Sequence, residues 1–205
     1  FTGEKENDEW SYKFSLDHDL SAKTKAWISW SLAYRLPSAN DVISSDPTFP
    51  GNPALVPVQS RTFEAGIRTR PSRLLDGSLT YYYSQVEDDI YSEPGAPSFG
   101  GANNADVLRQ GIELSLKSRT TKKLSLHFNA AFADAQFDGG TRDGNRLTMV
   151  PEWQLSSGIS LRPNANWTLA LNNVYVGGQV RFFDVGNTLS QNVYNVMNAK
   201  LSYRW

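Results

Sequence analysis

Residues 111–132 read GIELSLKSRTTKKLSLHFNAAF, and on each side of the central SRTTKK the apolar residues fall on every second position. Before the break, Ile112, Leu114 and Leu116 oppose Gly111, Glu113, Ser115 and Lys117. After it, Leu124, Leu126, Phe128, Ala130 and Phe132 oppose Ser125, His127, Asn129 and Ala131. A period of two belongs to an extended strand and fits helical spacing poorly. Two such runs across a short polar break form an antiparallel hairpin.

The same alternation recurs outward from this hairpin. Trp10, Tyr12, Phe14 and Leu16 oppose Ser11, Lys13, Ser15 and Asp17. Ala26, Ile28, Trp30, Leu32 and Tyr34 oppose Trp27, Ser29, Ser31, Ala33 and Arg35. Trp167, Leu169, Leu171, Asn173 and Tyr175 oppose Thr168, Ala170, Asn172, Val174 and Val176, and Met197, Ala199, Leu201, Tyr203 and Trp205 oppose Asn198, Lys200, Ser202 and Arg204. Nine runs result, at 9–19, 24–36, 60–70, 76–91, 106–118, 123–137, 150–162, 166–181 and 194–205. Short connections (20–23, 71–75, 119–122, 163–165) alternate with long ones (37–59, 92–105, 138–149, 182–193). An all-β, antiparallel up-and-down meander with turns at one end and loops at the other is the layout of an outer-membrane β-barrel.

Three details favour the membrane. The runs are longer than the five or six residues usual in soluble sheets, and long enough for the ~9–11 residues that cross a bilayer when tilted. The polar face mixes small and charged side chains, as a wet interior allows. Trp10, Tyr34, Trp153, Trp167, Tyr175 and Trp205 lie near the ends of the apolar faces, where an interfacial girdle belongs. A soluble antiparallel sandwich shows the same alternation with the apolar face inside, and periodicity alone leaves that alternative open. An odd count of nine runs leaves two open edges, so pairing with strands outside this chain is expected.

Composition sets the remaining bounds. The 205 residues carry a formal net charge of −1 and no cysteine, so nothing points to nucleic acid, a disulfide framework or a thiolate site. No apolar run approaches the ~18 residues of a transmembrane helix. The mean hydropathy of −0.45 is compatible with a barrel, because only alternate strand residues face lipid. The opening FTGEKENDEW has neither an initiator Met nor the pattern of a signal peptide, so the chain is read as mature or excised material.

Against this background, AYRLPSANDV (33–42) and NPALVPVQSRTFEAGIR (52–68) resemble the barrel of TonB-dependent outer-membrane receptors. Tyr34, Arg35 and Pro37 match a strand end reading Phe/Tyr-Arg-x-Pro; Asn52, Pro53, Leu55 and Pro57 match the loop that follows; Phe63, Glu64 and Gly66 match the next strand. Val58 stands where the family usually has an acidic residue. YYYSQVEDDIY, RQGIELSLKSR, VPEWQLSSGISLRP and YNVMNAKLSYRW resemble later strands of that barrel, in the family's order.

The resemblance implies a barrel of about 22 strands with a plugged lumen. This chain would be a single region within the barrel's C-terminal half, with the N-terminal plug domain outside it. It further implies location in the outer membrane of a Gram-negative bacterium, contact with outer-membrane lipid, and coupling to TonB through the plug. The implied activity is energy-coupled uptake of a small-molecule nutrient, such as a ferric siderophore or similar metal chelate. Two other readings stay open: a small passive outer-membrane barrel or surface-binding protein, and a soluble carbohydrate-binding β-domain.

No catalytic constellation is evident, and neither an enzyme activity nor a resident cofactor or metal is expected. The two histidines, His18 and His127, lie far apart, and no Gly-x-Ser-x-Gly occurs. The acidic run Glu87–Asp89 lacks the spacing of a calcium loop. FGGANNAD (99–106) has no Lys-Ser/Thr and opens no helix, which argues against a phosphate loop. Glu64, Glu113, Arg68, Arg70 and Lys117 share the polar face by parity, as a ladder bracing a wet wall would. The long loops carry the ligand-binding candidates: Phe49, Tyr91, Phe99, Arg142, Arg146, Arg181, Phe182 and Phe183. Arg suits carboxylate or phosphate groups and aromatic faces suit planar ones, the two surfaces that an anionic metal chelate presents.

Overall fold

The computed structural model describes residues 9–43, 51–92, 102–121, 123–182 and 184–205. Nine long strands appear in the expected order: β1 (Tyr12–Ser21), β2 (Thr24–Arg35), β3 (Val58–Ser72), β4 (Leu75–Ser92), β5 (Ala102–Ser118), β6 (Leu124–Phe137), β7 (Trp153–Leu161), β8 (Trp167–Val176) and β11 (Tyr194–Tyr203). They form one antiparallel sheet in which each strand pairs with its neighbours in sequence, β11 following β8. Between those two, β9 (Gln179–Val180) and β10 (Ser190–Gln191) make a small separate hairpin. A single helical turn, α1 (Ala39–Ile43), and a 3-10 turn at Gly140–Arg142 complete the described elements.

The turns at the short-loop end share one local device. Ser21, Ser72, Thr121 and Asn164 each accept, through the side-chain oxygen, the backbone N–H two residues on, at 3.0–3.2 Å. Such side-chain turns cap a strand without help from a neighbour. Adjacent turns are then tied edge to edge: the amides of Arg70, Arg119 and Arg162 donate to the carbonyls of Lys23, Leu74 and Lys123 at 2.7 Å.

Among the described residues, no second layer covers the apolar face. Leu169 is 43% exposed and Leu201 63%, so the sandwich alternative, which needs this face buried, is not what the chain forms. Rings gather at both ends of that face. Trp167 lies 4.8 Å from Tyr203 at the short-loop end, and Phe132 lies 5.0 Å from Trp153 towards the other. On β8 the two ends are marked by Trp167 and Tyr175, and eight residue steps span roughly 27 Å along a strand. That is the scale of the ~25 Å apolar band of a membrane barrel.

The polar face is braced by short hydrogen bonds between strands. Ser115 Oγ donates to Asn129 Oδ1 at 2.8 Å, and Asn129 Nδ2 donates to Ser156 Oγ at 3.0 Å. Glu64 accepts from Ser29 Oγ at 3.0 Å and from Lys13 Nζ at 3.4 Å. Arg68 and Arg70 both pair with Asp76, at 3.6 and 2.5 Å. Glu113 has no ion pair among the described residues.

Three aromatic side chains on this face lie across from a glycine of the next strand: Trp27 from Gly66, Tyr82 from Gly111, and His127 from Gly158. A Cβ at Gly66 would fall 2.5 Å from the Trp27 indole, one at Gly111 2.6 Å from Tyr82 Oη, and one at Gly158 2.7 Å from His127 Nε2. Each ring therefore occupies the space that a neighbouring side chain would need.

Candidate functional site at the long-loop end

Four strands, β3 to β6, are the longest, with 15, 18, 17 and 14 residues. Beyond the aromatic band their side chains stop alternating apolar with polar and bury a small core. Val58, Val86, Val107, Ala135 and Phe137 come from these strands, while Leu147 and Val185 fold down onto them from the β6–β7 and β8–β11 loops. Val107 and Phe137, each only 2% exposed, face one another across the ladder.

Asparagine side chains fasten the loops by imitating a backbone partner. Asn187, at φ 58°, accepts from the Arg146 amide at 2.6 Å and donates to the Arg146 carbonyl at 3.0 Å. Asn145 donates to the Val185 carbonyl at 3.0 Å. On the neighbouring side, Asn104 exchanges the same two kinds of bond with Val56, at 3.0 and 3.3 Å. Asn tolerates a left-handed backbone better than most residues, which suits it to position 187.

Asp184 anchors the β8–β11 loop. Its carboxylate accepts from the Leu189 amide and from Thr188 Oγ1, and these bonds, led by the Leu189 amide and aided by nearby Arg181, lower its pKa below the usual carboxylate value. A lowered folded-state pKa gives stabilisation that is fully present above the unfolded value and is lost as pH falls through the folded one. Hydrogen-exchange protection of the Leu189 amide is accordingly expected to hold throughout the range above the usual carboxylate value and to be lost only as acid protonates Asp184 below that range. Equal protection in an Asp184→Asn variant at neutral pH would contradict this role.

The candidate residues divide into groups. Tyr91 and Arg142 meet: Arg142 Nη1 donates to Tyr91 Oη at 3.0 Å, and its guanidinium carbon lies 5.5 Å from the ring centroid. Tyr91 in turn packs edge-on against Phe137 at 5.2 Å, so this cation is seated on the buried core. Arg146 pairs with Glu152 at 2.8 Å. Arg181 and Phe182 are exposed in the β8–β11 loop, Phe182 at 63%. Phe49, Phe99 and Phe183 lie outside the described residues.

A further constellation is invisible to simple parity. Asp89 accepts from Arg35 Nη2 at 3.1 Å and from Arg109 Nη2 on its other oxygen, and its side chain is only 15% exposed. Continued alternation from Tyr81 and Tyr83 would place Asp89 on the apolar face. The register, however, slips between Val86, opposite Val107, and Asp89, opposite Ala105. One extra residue on β4 makes a bulge there, with Asp88 at φ 58°. The bulge turns Asp89 to the polar face, where Arg35 and Arg109 meet it. The three adjacent acids at 87–89 were the sequence signal, but they carry no information about which one turns.

Among the described residues, no group of three His, Asp or Glu side chains is placed to hold a metal ion. No described helix is long and apolar enough to cross a membrane, which says nothing about crossing by strands.

The family model described as TonB dependent receptor-like, beta-barrel, matches residues 1–205. The fold is similar to that of a copper transporter, OprC, with a TM-score of 0.76 at 18% identity, covering 94% of this chain and 31% of that one. It is also similar to the ferric yersiniabactin uptake receptor FyuA of Yersinia pestis (0.72, 20% identity, 93% and 29%). A third is the ferric citrate transporter FecA in its unliganded form (0.75, 15% identity, 95% and 30%). The chain thus spans about a third of the length of these structures. It belongs to the TonB-dependent receptors, a family of outer-membrane barrels of Gram-negative bacteria rather than of enzymes. The apolar face is the one that meets lipid, and the polar face lines the lumen.

Proposed function

We propose that the protein containing this chain imports a scarce nutrient across the outer membrane, its cargo being a ferric siderophore or a similar anionic metal chelate. The chain supplies part of the wall and of the outer mouth and does no bond chemistry. TonB acts through the plug domain, shifting the population from a ligand-holding state to a releasing one. Arg142, seated on Tyr91 above the buried core, carries this reading. An arginine held in place by a ring loses little freedom on meeting an anion and presents cation and aromatic face together. Arg146, Arg181, Phe182, Phe49, Phe99 and Phe183 are proposed to add to the same mouth. The similar structures, a copper transporter, a ferric yersiniabactin uptake receptor and a ferric citrate transporter, agree with a metal-bearing cargo.

The test is uptake of a panel of iron-labelled chelates by cells expressing the full-length receptor, with and without TonB. One chelate is expected to enter only when both are present. The Arg142→Ala variant is expected to bind it about tenfold more weakly, the loss of one charge-assisted contact. Uptake that persists without TonB would overturn the reading.

A further inference from the structure

The cations of the wall are matched unevenly along its height. At the outer end Arg35 and Arg109 share Asp89, Arg61 has Glu87 and Arg146 has Glu152. At the short-loop end the balance fails. A cavity of about 630 Å³ on the wall there is lined by Arg68, Arg70, Arg73, Lys117 and Arg119, with Asp76 as its one carboxylate, so five positive charges meet one negative and leave a local net of +4. Asp76 is engaged by Arg68 and Arg70. Lys117 stands across the ladder from Asp76, yet neither it nor Arg73 or Arg119 has an ion pair among the described residues.

We propose that this cavity is a binding site for a small, multiply charged anion bearing carboxylate or phosphate groups. Its cations come from two strands, β3 and β5, and from the turns that follow them. Those two turns are tied to each other by the Arg119 amide bond to the Leu74 carbonyl, and the end of β3 to the β1–β2 turn by the Arg70 amide bond to the Lys23 carbonyl, both 2.7 Å. Arginine forks aimed into one concavity match such groups bidentately. The volume is that of a small-ligand pocket rather than of an extended protein interface. The excess of cations over carboxylates at this end of the wall favours an anion there. The role as a station for departing cargo rests on the uptake reading above; the anion site itself does not.

The test is calorimetric titration of inorganic pyrophosphate into the full-length receptor in detergent, at low and at physiological salt. Binding is expected, weakening with salt, and falling at least tenfold in the Arg73→Gln, Lys117→Gln, Arg119→Gln triple variant. The Arg73→Lys, Arg119→Lys variant keeps the charge but loses the forks, and is expected to bind more weakly than the wild type and more tightly than the triple variant. Heat-modifiable migration on gels verifies that each variant is a folded barrel. No binding to the wild type, or equal binding to the triple variant, overturns the site, and in the first case the cavity is covered by another part of the receptor. In cells, the triple variant is expected to slow uptake of an anionic chelate while leaving its surface binding unchanged. Unchanged uptake overturns the station role. If the wild type imports none of the chelates, the uptake reading falls, and the pyrophosphate titration still decides the anion site.

Discussion

Replacing Asp89 by alanine is expected to destabilise the receptor by about 2–3 kcal/mol, measured by urea unfolding in lipid vesicles. The carboxylate is 15% exposed and joins β4 to Arg35 of β2 and Arg109 of β5, whose side chains are 55% and 44% exposed. Removing it leaves two guanidinium groups beside one another in the upper wall with no counter-charge. Breaking a fully buried pair costs about 3–5 kcal/mol, and the half-exposed arginines reduce that here. The contrast is Glu87→Ala, one strand register away. Arg61 and Glu87 are 41% and 47% exposed, so solvent screening leaves that pair a much smaller contribution. Equal losses in the two variants would show that Asp89 is no more than another surface ion pair. Asp89→Asn, which keeps one acceptor but no charge, is expected to fall between them.

The second large effect concerns the glycines beneath the rings. Gly111→Ala is expected to cost about 3 kcal/mol, at the upper end of overpacking. Its new methyl group would meet the Phe132 carbonyl oxygen as well as the Tyr82 ring, and the carbonyl belongs to the paired strand and cannot move aside. At Gly66 the nearest obstacle is the Trp27 indole alone. Gly66→Ala should therefore cost about 1–2 kcal/mol and be largely relieved in the Trp27→Ala background, a coupling visible in a double-mutant cycle. Tyr82→Ala should relieve Gly111→Ala far less. If both glycines are relieved alike, the backbone contact at Gly111 is not what constrains it.

These two cases mark how far the sequence could be read. Existence and order of all nine long strands, and the facing of six of them, follow from period-two alternation, because below the bulge one face meets lipid and enforces it. Boundaries were less legible where lipid stops enforcing the pattern. β3 begins at Val58 and β5 at Ala102, earlier than alternation suggested, because their outer ends pair and pack without it. β8 stops at Val176, since Gly177 and Gly178 break the run before the small hairpin. Ser38 and Asp41 were a usable signal for α1 that alternation did not reveal: each accepts the other's backbone amide, at 3.3 and 2.9 Å, as in a capping box. Gly66 is legible only as a member of a motif and Gly111 only as a motif member and a polar-face position; their physical reason, a ring on the preceding strand, requires the register. Arg142 and Tyr91 are separate loop candidates in the sequence; the structure places Tyr91 on the outer end of β4, and the β6–β7 loop brings Arg142 onto it beside Phe137. The Arg35–Asp89–Arg109 group was hidden because a single inserted residue inverts the parity on which it would have been read.

That insertion divides β4 into two reading frames. In the lower frame odd-numbered residues address the bilayer, and in the upper one they address the polar face of the wall. Gain or loss of one residue at Asp88 would re-face everything above it and leave every lipid contact below unchanged. The strand thus carries a point at which one outer surface can be exchanged for another in a single step, without renegotiating the terms on which the barrel sits in its membrane.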